Sequence, residues 1–217
     1  MSTRDLFGDH AGNPEREALA DGAVLLRGFV AKDAAALLQA VETIIARAPF
    51  RNMVTPGGFT MSVAMTNCGR AGWLTDRKGY RYDAIDPETG RPWPDLPDPF
   101  VRLAKRAATA AGYKGFVPDA CLINRYEPGT RLSLHQDRNE RDFAAPIVSV
   151  SLGLPAVFLF GGAERSDRPR RYRLEHGDVV VWGGPSRLAF HGVAPLADGE
   201  HPLTGRRRFN LTLRKAL

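Results

Sequence analysis

In the second half of the 217-residue chain, short apolar runs follow one another and are separated by turn residues. Short runs rich in β-branched and aromatic residues between Gly, Pro, Asn and Asp are typical of β-strands. Many such strands in succession favour a sandwich or a barrel. The predicted strands are Ala120–Glu127, Ile147–Leu152, Ala156–Phe160, Arg170–Leu174, Val179–Trp182, Arg187–Val193 and Arg208–Leu213.

The segments before these runs divide into an arm and the start of the folded domain. Residues 1–22 are polar and broken by Gly and Pro, so we expect an extended arm there. Residues 23–217 are predicted to form a single domain, because a chain of this length buries one sizeable core. Ala23–Phe29 predicts a strand, and Phe59–Asn67 predicts another because apolar and polar residues alternate along it.

Two helices are predicted ahead of the β-rich half. Asp33 is expected to cap the first helix, which ends near Pro49, and an apolar stripe runs along it. The second helix is expected to open at Asp98-Pro99 and to close at Gly112. Since two helices can pack on the outside of a β-sandwich, the predicted fold is α+β, mainly β. It is a double-stranded β-helix, or jelly roll, with N-terminal helices.

Composition limits the cellular compartment and the kinds of partner. The net charge is +6 and the sequence pI is about 9.7, which permits a polyanionic partner. Two cysteines are too few for a disulfide framework and fit a reducing compartment. No signal-peptide pattern follows Met1, and no apolar run reaches membrane-spanning length. We therefore expect a cytoplasmic monomer that makes no contact with membranes.

His135 and Asp137 are the first candidates for chemistry. They lie two residues apart at the end of the segment Leu132-Ser133-Leu134, and residues so spaced in a strand point to the same face. An imidazole and a carboxylate can therefore converge on one metal ion, with His191 as the candidate third ligand. Two His and one carboxylate that leave coordination positions open are typical of non-haem Fe(II) oxygenases.

The spacing of His135 and Asp137 is weak evidence by itself. With 5 His and 24 acidic residues in the chain, a His-x-acid triplet occurs by chance roughly half a time. A second triplet, His176-Gly177-Asp178, is interpreted as a hairpin turn, because Gly supplies the backbone angles that a turn needs. The alternative for His135 is a strand-edge histidine held by a local hydrogen bond.

A strand near the C-terminus predicts the site of an anion. Arg208, Asn210, Thr212 and Arg214 alternate with apolar residues and so share one face. Two inward arginines are costly to bury without an anion, and a dicarboxylate such as 2-oxoglutarate balances both charges through paired hydrogen bonds. Asn124 and Tyr126, again at i and i+2, are candidates to complete the same pocket.

Residues 69–97 show little periodicity and are rich in Gly, Pro, Arg and aromatic residues. A long irregular segment inside a compact chain is usually a functional loop, so we expect a lid over about residues 50–97. Trp73, Tyr80 and Tyr82 alternate there with basic residues such as Arg81. Bases stack on aromatic rings while Arg and Lys hold phosphates, which favours nucleic acid as the substrate, although these aromatics also fit the core of a lid.

These features together resemble the AlkB family of bacterial alkylated-DNA repair dioxygenases, from about residue 23 to the C-terminus. The ligand triplet, the arginine strand and the lid occur in the family's order. The resemblance is carried by the segments Val54–Gly58, Met61–Cys68, Asp119–Tyr126, Leu132–Asp137, Pro146–Pro155, Leu174–Gly184 and Asn210–Arg214.

The resemblance implies a role for each candidate residue. Fe(II) would be bound by His135, Asp137 and His191. The co-substrate 2-oxoglutarate would be held by Asn124, Arg125, Tyr126, Arg208, Asn210 and Arg214. The damaged nucleotide would contact Trp73, Tyr80, Arg81, Tyr82, Asn139 and Arg165. The chain departs from the family pattern at Asn139, where the family has an acidic residue, and at Phe59, where it has a tyrosine.

The function implied is oxidative dealkylation of bases such as N1-methyladenine and N3-methylcytosine in single- or double-stranded DNA, and also in RNA. Fe(II), O₂ and 2-oxoglutarate would be consumed, with succinate, CO₂ and formaldehyde as products. Two alternatives remain from the sequence. One is a related 2-oxoglutarate dioxygenase acting on a protein or a small molecule, and the other is a non-catalytic jelly-roll protein whose metal site is closed by a fourth ligand.

Overall fold

The computed structural model describes residues 15–217, and strands dominate that part of the chain. The helices are α1 (Ala34–Ile45) and α2 (Asp98–Ala110), with a short 3₁₀ turn at Gly184–Ser186. The strands are β1 (Arg16–Ala20), β2 (Ala23–Leu26), β3 (Ala64–Gly69), β4 (Gly72–Asp76), β5 (Gly79–Asp83), β6 (Ala120–Tyr126), β7 (Leu132–His135), β8 (Ile147–Gly153), β9 (Ala156–Phe160), β10 (Arg170–Leu174), β11 (Val179–Trp182), β12 (His191–Val193) and β13 (Arg208–Arg214).

Two sheets face each other and a separate hairpin lies beside them. The large sheet has the order β1-β2-β11-β8-β13-β6-β3, and the small sheet has the order β10-β9-β12-β7. Every strand pair is antiparallel, and β4 pairs with β5 as the hairpin. This arrangement confirms the predicted jelly roll with two helices.

The two helices cover the outer face of the large sheet. Leu37, Val41 and Ile44 form the buried stripe of α1, at the spacing of an amphipathic helix. Phe100 and Leu103 begin the equivalent stripe of α2. The predicted side-chain cap at Asp33 is wrong. Asp33 does precede α1, but its carboxylate makes no cap hydrogen bond and instead pairs with Arg106 at 3.0 Å.

Along the central strands of the large sheet, apolar residues that face outward alternate with polar residues that face inward. Their outward residues, such as Leu211 and Val150, join the apolar core beneath the helices. Their inward residues are polar although they are buried, and a soluble protein buries such groups only when they have partners or a function. The inward set comprises Asn124, Ser149, Ser151, Arg208, Asn210, Thr212 and Arg214. The space between the sheets is therefore a polar pocket rather than a dry core.

The predicted arm is wrong for its last residues. Arg16–Ala20 forms β1, which pairs with β2 at the edge of the large sheet, because its backbone groups find ladder partners there. The folded domain therefore begins before residue 23. The first 14 residues of the predicted arm lie outside the described part of the chain.

Two other strand predictions were too long. The strand predicted at Phe59–Asn67 begins only at Ala64, as β3. Residues 55–62 form a loop before it, and the side chain of Asn52 donates to the carbonyls of Met61 and Ser62 at the end of that loop. In place of Arg187–Val193, only His191–Val193 is a strand. The guanidinium of Arg187 turns inward to bond the carbonyls of Asp137 and Ala145, which draws this stretch out of the sheet.

The segment predicted to be an irregular lid contains the regular hairpin β4–β5. Its turn falls at Arg77 and Lys78 and closes at Gly79, whose φ of 114° favours glycine. The turn at His176-Gly177 is confirmed, but it joins β10 of the small sheet to β11 of the large sheet and is not a hairpin. The two cysteines, Cys68 and Cys121, are buried and free. No helix within residues 15–217 is long and apolar enough to cross a bilayer.

Candidate active site

His135 and His191 lie on neighbouring strands of the small sheet. His135 ends β7, His191 begins β12, and the two residues are direct register partners. Directly paired residues point to the same face, so both imidazoles enter the space between the sheets. Asp137 follows two residues after β7 and returns to the same point. His191, which is distant in sequence, thus meets His135 and Asp137 at one end of the sandwich.

The three side chains are close enough to share one metal ion. Their potential ligand atoms all lie within 4.8 Å of one another. Nε2 of His135 is 3.8 Å from Oδ1 of Asp137, and Nε2 of His191 is 3.7 Å from Oδ2. Among the described residues this cluster has three members, so it leaves coordination positions open. A closed site with a fourth protein ligand, the non-catalytic alternative, is not formed within residues 15–217.

Hydrogen bonds orient both imidazoles for a metal. Nδ1–H of His135 donates to the carbonyl of Ser133 at 2.8 Å, and Nδ1–H of His191 donates to that of Ala189 at 3.0 Å. Each bond leaves the lone pair of Nε2 free, which is the usual arrangement of a metal-binding histidine. Burial, aided by the charge of His135, lowers the pKa of His191 to about 4, so its imidazole is neutral.

Arg214 holds the carboxylate of Asp137. Its Nε and Nη2 both donate to Oδ2, at 3.0 and 2.6 Å. Burial alone would raise the pKa of Asp137, but the charge of Arg214 and its hydrogen bonds outweigh burial, and the pKa lies well below its ordinary value. Asp137 is therefore ionised, and its Oδ1 accepts no hydrogen bond from the described residues. The sequence prediction assigned Arg214 to 2-oxoglutarate, and in the structure its guanidinium is paired with the carboxylate of Asp137.

A buried ionic network lies behind Asp137, and the sequence analysis missed it. The carboxylate of Glu140 accepts from Arg187 at 3.1 Å and from the hydroxyl of Tyr82 at 2.7 Å, and it lies 3.4 Å from Nε of Arg214. Arg187 also donates to the backbone carbonyl of Asp137 at 2.7 Å. These contacts join strands and loops far apart in sequence, and no spacing pattern in the sequence marks them.

Arg208 has the surroundings expected of an anion-binding residue. It is 1% exposed, its Nε donates to the Ser151 hydroxyl at 3.0 Å, and its guanidinium lies 4.9 Å from the centroid of the Tyr126 ring. Nη1 is buried with no hydrogen-bond partner among residues 15–217. Burial lowers the pKa of Arg208. A buried cation with an unused donor fits the carboxylate of a ligand such as 2-oxoglutarate.

The remaining members of the predicted co-substrate pocket meet beside Arg208, with one exception. Asn210 donates to the Ser149 hydroxyl at 2.8 Å and accepts from Thr212 and Asn124. Asn124, Tyr126 and Asn210 all line the same cavity. Arg125 does not, because adjacent strand residues point to opposite faces. Its guanidinium lies 4.9 Å from the Phe50 ring on the outer face and pairs with Glu127.

The hairpin β4–β5 places an aromatic pair at the mouth of this cavity. The rings of Trp73 and Tyr80 are stacked with centroids 5.8 Å apart, and Tyr80 is 50% exposed. Nε1–H of Trp73 donates to Oδ1 of Asn139 at 3.1 Å, which places Asn139 at the same rim. Phe59 also lines the cavity, so the hydroxyl of the family's tyrosine has no counterpart there.

The other predicted substrate residues divide into two groups. Arg165 lines the cavity, with its guanidinium 5.9 Å from the centroid of the Phe190 ring. Arg81 and Tyr82 do not line it. Arg81 bonds Asp76 within the hairpin, whereas Tyr82 joins the network of Glu140. Trp182, which the sequence analysis did not single out, forms part of the wall at 4.9 Å from the His191 ring, and its buried Nε1–H has no partner among residues 15–217.

Comparison with known proteins identifies the family. The family model described as the 2OG-Fe(II) oxygenase superfamily matches residues 22–214. The alpha-ketoglutarate-dependent dioxygenase AlkB of Escherichia coli is 60% identical over 212 residues, covering 98% of this chain and 97% of that protein. The chain belongs to the AlkB family.

More distant AlkB-family proteins share the fold and part of the sequence. The tRNA demethylase abh1 of Schizosaccharomyces pombe is 35% identical over 147 residues, which is 64% of this chain and 47% of that protein. The solved structure of OsALKBH1 has a TM-score of 0.81 at 29% identity and covers 93% of this chain and 100% of that one. The protein is thus a dioxygenase that uses Fe(II) and 2-oxoglutarate, and His135, Asp137 and His191 can bind the metal.

Proposed function

We propose that this AlkB-family enzyme removes alkyl groups from ring nitrogens of bases in DNA and RNA, and that it works in the cytoplasm as a monomer. The observation that carries the proposal is the stacked pair of Trp73 and Tyr80 over the cavity that holds the metal-binding triad. An exposed aromatic platform of this kind binds a nucleobase through its π-face. The names of the relatives, which include a tRNA demethylase, support a nucleic-acid substrate.

The size and charge of the cavity support the same substrate. Its volume is about 920 Å³, which suits an extruded base together with a small dicarboxylate. A base inside a stack is out of reach of a buried site, so the target nucleotide has to leave the stack and enter the cavity. Arg165 and Arg138 line the cavity as cations suited to the phosphates on either side. Neither a peptide nor a small metabolite requires a cavity of this volume together with cations for flanking phosphates.

Each part of the site has a distinct task in the proposed reaction. His135, Asp137 and His191 would hold Fe(II), and Arg208, with Asn124, Tyr126 and Asn210, would hold 2-oxoglutarate. Fe(II) and 2-oxoglutarate, when bound, supply the oxidation by O₂ that yields succinate and CO₂ and hydroxylates the alkyl carbon, which then leaves as formaldehyde. Trp73 and Tyr80 orient the base. Arg214 keeps Asp137 ionised, and Glu140 and Arg187 hold Arg214 and the backbone of Asp137 in position.

The direct test is turnover of a methylated oligonucleotide. The protein is mixed with Fe(II), 2-oxoglutarate and an oligonucleotide containing N1-methyladenine or N3-methylcytosine, and O₂ is then admitted. We expect formaldehyde in an amount equal to the succinate formed above that seen with an unmethylated oligonucleotide of the same sequence, which measures uncoupled turnover. Succinate without formaldehyde on every methylated DNA and RNA strand would contradict the proposal.

Replacement of Trp73 by alanine should weaken binding of single-stranded DNA by about 1–3 kcal/mol, because a base loses its stacking partner. Uncoupled turnover of 2-oxoglutarate should stay intact, since Trp73 contacts neither Arg208 nor the triad. The measurements are fluorescence anisotropy for binding and succinate release without DNA. Trp73 is only partly buried, so its removal should leave the fold in place.

The thermal unfolding curve of the Trp73→Ala variant provides the control. A large loss of stability, with binding weakened only in proportion to the unfolded fraction, would show that Trp73 belongs to the core of the hairpin. Tyr80→Ala is the milder companion variant, because Tyr80 covers the exposed side of the same stack.

Asn139→Asp should increase the preference for cationic lesions by roughly fivefold. N1-methyladenine carries a positive charge near pH 7 and ethenoadenine is neutral. Asn139 accepts hydrogen bonds through its carbonyl but brings no charge, and the difference between a charged and a neutral hydrogen bond is roughly 1 kcal/mol. Either side chain retains the acceptor for Trp73. The measurement is the ratio of kcat/KM for the two lesions in one oligonucleotide.

Glu140 does not replace the missing charge at position 139. Its carboxylate is buried among Arg187, Arg214 and Tyr82, and it does not line the cavity. The increase should therefore depend on position 139 alone. An unchanged ratio in Asn139→Asp would mean that this position does not read the base.

A further inference from the structure

A second, smaller cavity lies beside the candidate active site. Its volume is about 290 Å³, and it opens between the edge strands of the two sheets, where β1 approaches β10. Its lining combines apolar residues and glycines with two arginines. The lining residues are Leu19, Ala20, Phe160, Gly161, Gly162, Arg168 and Arg170.

The two arginines of this cavity have no carboxylate partner. Arg168 and Arg170 are exposed, and neither forms an ion pair within residues 15–217. The neighbouring acid, Asp167, is directed at its own loop, where Oδ2 accepts from the backbone N–H of Glu164 at 3.0 Å. The exposed Arg171 adds a third positive charge on the adjacent outer face. The cavity therefore carries net positive charge, because its two guanidinium groups outnumber the carboxylate of Asp167 beside Gly162.

The cavity is aligned with the metal-binding triad. Arg170 pairs in register with Phe160, and Phe160 pairs with His191, so all three lie in one row across the small sheet. Two strand spacings separate Arg170 from His191, or about 10 Å. The two cavities adjoin along Phe190, which lines the larger one and exchanges backbone hydrogen bonds with Gly161 and Gly162 of the smaller one.

We propose that Arg168 and Arg170 form a phosphate subsite for the nucleic-acid strand whose target base occupies the main cavity. The inference rests on the proposed function and adds to it a contact outside the catalytic pocket. Because Arg170 lies about 10 Å from His191 across the sheet, the subsite would hold a phosphodiester of the strand while the base lies in the main cavity. The subsite extends the positive track that Arg165 begins on the same loop.

A phosphodiester fits the cavity better than other anions that a basic surface attracts. Arginine recognises phosphate oxygens through its planar fork of donors. Arg168 and Arg170 are both exposed, so their donors can meet a strand at the surface. Contacts of this kind position a strand without reading its sequence, so the subsite should act on all strands of sufficient length.

The test removes both guanidinium groups in the variant Arg168→Ala/Arg170→Ala. Binding is measured by fluorescence anisotropy on the full chain with Fe(II) and 2-oxoglutarate under anaerobic conditions, so that no turnover occurs. A methylated single-stranded 15-mer is compared with a methylated nucleoside, which is added as a competitor, over a range of salt concentrations. The 15-mer should bind on the order of tenfold more weakly at low salt, whereas the nucleoside, which has no phosphate, should bind unchanged.

The salt dependence gives an independent readout. Each phosphate contact on a single strand contributes about 0.7 to the slope of log K against log salt, so the slope for the 15-mer should fall by about 0.7 to 1.4. The matched control is Arg102→Ala/Lys105→Ala, which removes the same charge from the exposed side of α2, on the outer face of the large sheet. That control should leave the slope and the affinity for the 15-mer nearly unchanged.

Two results would overturn the subsite. One is a 15-mer affinity and slope equal to those of the unchanged protein, and the other is a loss equal to that of the α2 control, which would reflect net charge alone. Failure of the proposed function is a separate result, because it appears as the absence of formaldehyde from methylated strands with the unchanged protein. Binding and turnover therefore test the two proposals independently.

Discussion

Replacement of His135 by alanine should abolish Fe(II) binding and turnover together. His135 supplies one of three ligand atoms that lie within 4.8 Å of one another, and two ligands are too few to hold the metal. Loss of a residue that only hydrogen-bonds to a metal ligand lowers metal affinity or activity by about 10–100-fold. Removal of a direct ligand should therefore lower both by more than about a hundredfold. The measurements are an anaerobic Fe(II) titration and succinate release from the same preparation.

The matched control is His176→Ala. His176 lies in the turn between the two sheets, where its Nδ1 accepts from the backbone N–H of Gly153 and its ring stacks on His201. Its removal costs a local hydrogen bond but no metal ligand, so Fe(II) affinity should not change. His135 is partly exposed at the end of β7, and circular dichroism should show the fold of His135→Ala intact. Equal losses in both variants would contradict the assignment of the triad.

The second large effect is expected for Arg208→Ala, which should lower the affinity for 2-oxoglutarate by about ten- to a hundredfold. Arg208 is buried and has one donor without a partner among the described residues. A carboxylate of the ligand would supply the missing acceptor. A hydrogen bond between charged groups contributes about 1.5–3 kcal/mol, which corresponds to that loss. Isothermal titration with 2-oxoglutarate in the absence of O₂ measures it.

Two further variants separate binding from folding. Arg207→Ala removes the adjacent charge, which is exposed, and should leave the affinity unchanged. Arg208→Met retains much of the volume without the charge. Because a buried cation with an unmet donor is costly, the protein without ligand should unfold at the same temperature as the unchanged protein or higher. Unchanged 2-oxoglutarate affinity in both Arg208 variants would remove this residue from the co-substrate site.

The fold was largely predictable where the local pattern and the tertiary environment agree. The alternation along β13 placed Arg208, Asn210 and Arg214 on one face, and the structure puts all three between the sheets. The apolar stripes of α1 and α2 likewise marked the faces that pack on the large sheet. In these elements the side-chain period alone determines which residues become buried.

The predictions were less accurate where a residue's position depends on a distant partner. Arg125 was grouped with its neighbours Asn124 and Tyr126, although a strand turns alternate residues to opposite faces. Tyr82 was assigned to the substrate, and it instead bonds Glu140, which is remote in sequence. The hairpin β4–β5 was missed because its alternation is obscured by many polar residues on a segment that covers a polar cavity rather than an apolar core.

The sequence by itself determined the residue types of the site and the faces on which most of them lie. It specified a His and an Asp with a two-residue spacing, a strand with two inward arginines, and aromatic residues among basic ones. The tertiary structure alone decided that His191 pairs with His135, that Arg214 supports Asp137, and that Arg168 and Arg170 adjoin the same end of the sandwich. Side-chain direction follows from the local period of the backbone, whereas the meeting of distant strands follows from sheet register, which depends on the packing of the whole chain.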